Sequence, residues 1–122
     1  MWRCPRDDSL NTGECCAVCG KPPFMQAPML KGERVSIRVT TSERIVGRLD
    51  FSAELRDSGV SHRHMRIYYN SGTHKWRVCN ITKSGVVKVN GTRLDWSKSC
   101  DLPNDGCLEI GTIRLHVQMT DI

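Results

Sequence analysis

Met65-Arg66-Ile67-Tyr68-Tyr69-Asn70-Ser71-Gly72-Thr73-His74-Lys75-Trp76-Arg77-Val78-Cys79-Asn80-Ile81 reads as two strands around a turn. β-branched and aromatic residues dominate both arms, and Asn-Ser-Gly-Thr between them is a strong turn signal. The same period-two pattern continues in both directions. Upstream, Val35, Ile37 and Val39 alternate with Ser36, Arg38 and Thr40, and Arg44-Ile45-Val46 stops at Gly47. Downstream, Val86-Val87-Lys88-Val89 meets Asn90-Gly91, a dipeptide suited to positive φ in a tight hairpin turn. Leu108-Glu109-Ile110, Gly111-Thr112 and Ile113 to Met119 form a last hairpin. No segment carries a sustained helical period. Many short strands at regular spacing make an all-β sandwich or barrel.

The chain has 122 residues, enough for one domain with a small appendage. Eighteen Lys and Arg against thirteen Asp and Glu give a net charge of +5, a modest excess compatible with an anionic partner. No apolar run approaches the roughly 18 residues that span a bilayer. The first residues lack the apolar core of a secretory signal. An intracellular, cytoplasmic protein is therefore expected, with a nuclear place left open.

Cysteine usage divides the chain. Of seven cysteines, Cys4, Cys15, Cys16 and Cys19 crowd the N-terminus, while Cys79, Cys100 and Cys107 are scattered. In a reducing compartment such a cluster suits metal ligation better than disulfides. Residues 1–21 are read as a cysteine-rich unit, 22–33, with Pro22, Pro23 and Pro28, as a linker, and 34–122 as the β domain. A bridge between Cys100 and Cys107 stays open.

Four signals follow one another inside the β domain: Gly47-Arg48 at a strand end, Ser61-His62-Arg63-His64 after a loop, Val89-Asn90-Gly91, and Leu102 to Gly111 with Gly106-Cys107-Leu108-Glu109-Ile110-Gly111. In this order and spacing they resemble the forkhead-associated (FHA) domain over residues 35 to 119. That family's pattern is Gly-Arg, Ser-x-x-His, Asn-Gly, then a Leu-x-x-Gly-Asp-x-Ile-x-Ile-Gly stretch. The resemblance implies a β-sandwich whose loops at one end bind phosphothreonine peptides, as an adaptor in Ser/Thr kinase signalling rather than an enzyme.

It also implies roles for individual residues. Arg48 offers a forked guanidinium to a phosphate dianion. Ser61 is a second donor. His62 stands where the family often has Asn or Arg, and an imidazolium there predicts tighter binding at mildly acidic pH while the phosphate stays dianionic. His64 is architectural and holds the serine loop, with Gly47, Asn90 and Gly91 as further loop-structuring residues. Counting back from Asn90, Ser84 falls where a hydroxyl often touches the phosphate. Gly85 falls where an Asn usually grips the peptide backbone, and a glycine cannot do that. Lys83 could supply compensating charge. Trp76 and Trp96 read as packing residues. A Ser61–His64 catalytic dyad has neither a Gly-x-Ser-x-Gly elbow nor an orienting carboxylate in the sequence, so no enzyme is expected.

The N-terminus, Trp2-Arg3-Cys4-Pro5-Arg6-Asp7 followed by Cys16-Ala17-Val18-Cys19-Gly20, resembles a degenerate zinc ribbon. Cys16-x-x-Cys19 is a complete knuckle, but Asp7 stands where the other knuckle would have its second cysteine. Cys4, Cys16 and Cys19 need a fourth ligand, Cys15 or Asp7, to close a tetrahedral structural zinc site. Two alternatives to phosphopeptide reading are a phosphate-independent scaffold with the same fold, and zinc-dependent nucleic-acid binding. Charge speaks against the second: residues 1–34 hold five basic and four acidic side chains, while most of the excess lies in the β domain.

Overall fold

A computed structural model describes residues 1–51 and 59–122. Twelve strands are seen among them: β1 (Trp2–Arg3), β2 (Leu10–Asn11), β3 (Gln26–Lys31), β4 (Ser36–Arg38), β5 (Glu43–Val46), β6 (Met65–Asn70), β7 (Lys75–Asn80), β8 (Val87–Val89), β9 (Thr92–Arg93), β10 (Ser99–Asp101), β11 (Cys107–Ile110) and β12 (Ile113–Asp121). The one helical element among the described residues is a 3-10 turn at Arg48–Asp50. All strand pairs are antiparallel. A four-stranded sheet has the order β10-β7-β6-β5, and a six-stranded sheet the order β4-β3-β12-β11-β8-β9.

Alternation explains why the sheets stack. In β12, Ile113, Leu115 and Val117 are buried, and the interleaved Arg114, His116 and Gln118 are exposed. Leu30, Val87, Leu108, Ile110, Leu115 and Val117 from the larger sheet join Val46, Met65, Ile67, Trp76 and Val78 from the smaller one in a single core. Trp76 also spans the layers, since its indole N–H donates to the Gln26 carbonyl at 2.9 Å.

Two expectations need correction. Residues 22–33 are not a linker throughout. Gln26–Lys31 is β3, the strand between β4 and β12. It lacks alternation because its pattern buries Ala27, Pro28 and Leu30, and Pro28 argued against a strand. Pro28 is accommodated because its carbonyl takes the Val39 N–H at 3.1 Å. The donor it lacks would face that same side, just beyond the last β3–β4 pair at Met29 and Arg38. Trp96 is not a packing residue. It is 49% exposed, on the turn between β9 and β10 where Lys98 N–H donates to Asp95 O, whereas Trp76 is 6% exposed. Cys100 and Cys107 lie on different sheets, and both thiols are free.

Candidate functional site

Three loops meet at the sandwich end where β5 finishes, β6 begins and β7 finishes. The first runs from Gly47. The Asp50 carboxylate accepts the Gly47 N–H at 2.9 Å and pairs with Arg44 at 2.6 Å, so the turn carrying Arg48 is fixed from both sides. Gly47 lies flat against the second loop: a Cβ there would overlap the His62 carbonyl. Its backbone is extended, so close approach rather than backbone conformation requires glycine. Arg48 N–H donates to Ser61 O at 3.0 Å. Among the described residues its guanidinium Nε donates to Val60 O at 3.2 Å, and the side chain is exposed. One donor of the fork thus aims the group, and the terminal nitrogens suit an oxyanion.

His64 organises the second and third loops together. It is fully buried. Nδ1 accepts the Ser61 N–H at 3.0 Å, which makes Nε2 the protonated nitrogen donating to Val86 O at 2.9 Å. Burial holds its pKa below the usual imidazole value, against the opposing pull of the Val86 carbonyl. A neutral ring with one acceptor and one donor matches both partners. The ring thereby links the Ser61 and Val86 segments, at the position for which the family resemblance implies an architectural role.

The third loop leaves β7 at Asn80, which is buried. Its side-chain amide donates to Leu94 O at 2.9 Å, and its Oδ1 accepts the Thr82 N–H at 2.9 Å. That bond places the Thr82 hydroxyl 3.0 Å from the Ser61 hydroxyl. Ser84, two residues further on, is exposed. The hydroxyl that meets Ser61 therefore belongs to Thr82. Sequence reading missed Asn80, Thr82 and Asp50, although Asn-x-Thr is an Asx-turn signal and could have found the first two.

Gly85 has a reason in this packing. A Cβ at this position would sit 2.5 Å from both His64 Cε1 and Thr82 Cγ2. The ring of His64 fills the space that a side chain would need. His62 and Arg63 are exposed. Lys83 Nζ lies 4.8 Å from the centroid of Trp96, a cation–π contact at the edge of the third loop. Asn90 and Gly91 have φ of 51° and 84°, as the turn requires. Asn90 also exchanges bonds with Cys107: its N–H donates to Cys107 O at 2.8 Å, and its Oδ1 accepts Cys107 N–H at 2.9 Å. It joins strand ends.

A second cluster lies in the N-terminal segment. Ligand atoms of Cys4, Asp7, Cys16 and Cys19 lie within 4.8 Å of one another, so these four residues could hold a metal ion. Asp7 rather than Cys15 is the fourth member, and Cys15 is exposed. Cys4 and Cys19 sulfurs are 3.7 Å apart, far beyond a disulfide bond of about 2.05 Å. Cys16 Sγ receives the N–H groups of Val18 and Cys19 at 3.3 and 3.5 Å. Burial alone would raise the Cys16 thiol. The Ser9 hydroxyl and these backbone donors bring it down to about 7. Ser9 anchors Asp7 through its hydroxyl at 2.5 Å and its N–H at 3.0 Å, and these bonds hold that carboxyl well below the usual range.

The fold that carries this geometry recurs in solved structures. The solved fold of the kinase-interacting FHA domain of kinase associated protein phosphatase, KAPP, from Arabidopsis is similar, with a TM-score of 0.64 and 20% identity, covering 81% of this chain and 98% of that one. The MEK1 FHA domain in complex with a phosphothreonine peptide of HOP1 gives 0.60 and 20%, covering 77% and 97%. EmbR from Mycobacterium tuberculosis, in complex with a low-affinity phosphopeptide, gives 0.63 and 16%, covering 89% of this chain and 27% of that one. Curated protein sequences offer no match. The family model described as FHA domain matches residues 44–111, more than half of the chain and all three loops of the site, and the chain belongs to the FHA domain family.

Proposed function

We propose that this protein is a non-catalytic module that binds threonine-phosphorylated peptides, acting as an adaptor downstream of a Ser/Thr kinase. The observation that carries it is the convergence of Arg48, Ser61 and Thr82 at one sandwich end, on loops braced by buried His64 and Asn80. The exposed Arg48 guanidinium and the half-buried Ser61 hydroxyl match a phosphate's demand for charge-assisted donors, and the buried Thr82 hydroxyl orients that of Ser61. His62, Lys83 and Ser84, exposed beside them, are assigned to the peptide and the phosphate rim. The MEK1 FHA domain, solved with a phosphothreonine peptide, and a further neighbour described by its phosphothreonine-dependent interactions support the reading.

The test is an NMR titration of labelled protein with a degenerate phosphothreonine peptide library, with the unphosphorylated library and Arg48→Ala as controls. Saturable shifts at Arg48, Ser61 and Thr82 amides are expected only with phosphate. Arg48→Ala should weaken binding about 10- to 100-fold, the loss of one or two charge-assisted bonds. Gly85 favours a second reading, a scaffold that binds partners without phosphate, because the side chain that would grip a peptide is absent. In that case partner binding would be indifferent to Arg48.

The N-terminal cluster belongs to this reading as a structural element. Its donors, three thiolates and one carboxylate, suit Zn²⁺ far better than the hard cations Ca²⁺ and Mg²⁺.

A further inference from the structure

We propose that one Zn²⁺ held by Cys4, Asp7, Cys16 and Cys19 clamps residues 1–21 onto the end of the sandwich opposite the phosphate site. The proposal rests on the zinc reading above and adds the fourth ligand and the ion's purpose. A tetrahedral zinc with Zn–S near 2.3 Å has S···S edges of about 3.8 Å and S···O edges of about 3.6 Å. Cys4 and Cys19 sulfurs are 3.7 Å apart, and Cys16 Sγ lies 3.6 and 3.3 Å from the two Asp7 oxygens. Two opposite edges of the polyhedron are therefore already set, and all four ligand atoms lie within 4.8 Å of one another. Binding would release the thiol protons to solvent.

The segment has little else to fold around. Its buried apolar side chains are Cys4 and Cys16, two of the ligands, while Met1, Leu10 and Val18 are exposed. Asn11 ties the two knuckles together, its Oδ1 accepting the Ala17 N–H at 2.9 Å and its amide donating to Ser9 O at 3.2 Å. So small a unit depends on its metal.

The same turn that carries Cys4 and Asp7 carries Arg6 between them. Arg6 donates to Pro22 O at 2.7 Å and to Phe24 O at 2.8 Å. Phe24 is buried edge-on against Trp76 at 4.8 Å, and lies 5.5 Å from Tyr69. Trp2, Gly13, Pro23, Ser42, Tyr69 and Ser71 line one cleft at this junction. Tyr69 and Ser42 lie near the far ends of β6 and β5 from Met65 and Val46, which adjoin the phosphate site. The knuckle therefore caps the lead into β3, and a metal that orders the Cys4–Asp7 turn also orders Arg6.

Reduced, metal-stripped protein titrated with Zn²⁺, and with Co²⁺ as a spectroscopic probe, tests both parts. One ion per chain is expected, with thiolate-to-cobalt charge transfer and the intense visible bands of a tetrahedral site. Cys16→Ala should abolish these bands. Asp7→Asn should weaken binding at least tenfold, Asp7→Cys should restore or tighten it, and Cys15→Ala should leave it unchanged. Zinc should shift the amides of Phe24, Tyr69 and Ser71. Arg6→Ala should keep the cobalt spectrum but lose most of those shifts. Failure to bind any ion would overturn the zinc reading itself. Ion binding that leaves Phe24 and Tyr69 unmoved would overturn the clamp alone. Sensitivity to Cys15→Ala in place of Asp7→Asn would overturn the ligand set.

Discussion

His64 shows how one buried side chain sets a binding loop. It has no exposed surface, yet both ring nitrogens are satisfied, one by the Ser61 N–H and one by Val86 O. Protonation would put a proton on Nδ1, facing another donor. Its folded pKa lies below the usual 6.5, because burial disfavours the imidazolium. The unfolded chain therefore binds the proton first as pH falls. The stabilisation is complete above about pH 6.5 and is lost as pH drops toward the folded value. Thermal melts should show a lower Tm at pH 5.5 than at pH 7.5. His64→Ala should be destabilised by about 2–4 kcal/mol at pH 7.5 and show a smaller pH effect. Gly85 is the other half of this arrangement. Gly85→Asn would restore the side chain that its family often has there, but it would press on His64 and Thr82. We expect a loss of about 1–3 kcal/mol in urea unfolding, together with weaker phosphopeptide binding. Improved affinity at undiminished stability would refute the packing account.

At the scale of the element, β3 is the strand on which the larger sheet turns. It pairs with β12 over six residues, from His116 with Lys31 to Asp121 with Gln26, and with β4 over three. Leu30 in its centre is fully buried. Leu30→Ala should lower the urea midpoint by an amount equivalent to about 2–5 kcal/mol, with an unchanged m-value. A change within error would mean that β3 is an appendage. Period-two strands such as β6, β7 and β12 were legible because one face meets the core and the other meets water. β3 was not, because burial on consecutive residues and a proline remove the pattern. Only its neighbours in the sheet make it a strand.

Across the whole molecule, the two clusters sit at opposite ends of the smaller sheet. β6 runs from Met65, next to His64, to Asn70, next to the turn beside the N-terminal segment. Six residues of strand separate them by roughly 15–20 Å. No loop of the proposed phosphate site touches Cys4, Asp7, Cys16 or Cys19 among the described contacts. Removing the proposed zinc with a chelator should therefore leave the affinity for a phosphothreonine peptide within about twofold, while residues 1–21 lose their order by NMR. A large loss of affinity would show that the ends are coupled through β3 and the core.

The all-β class, the hairpins at Asn70–Lys75 and Asn90–Gly91, and the order of Gly47-Arg48, Ser61 and His64 were written in local chemistry: alternation, turn residues and short motifs. These depend on neighbours in sequence, so a sequence exposes them. Tertiary structure decided which of several similar groups come together. Ser84 and Thr82 are both hydroxyls on one loop, and only the bond from Asn80 brings Thr82 to Ser61. Cys15 and Asp7 were both candidates for the place beside Cys4, Cys16 and Cys19, and it is Asp7, held in its turn by Ser9, that lies there. Gly85 looked like a missing contact and is a packing necessity under the His64 ring. Each choice is fixed by distances between segments far apart in the chain, which no local pattern encodes.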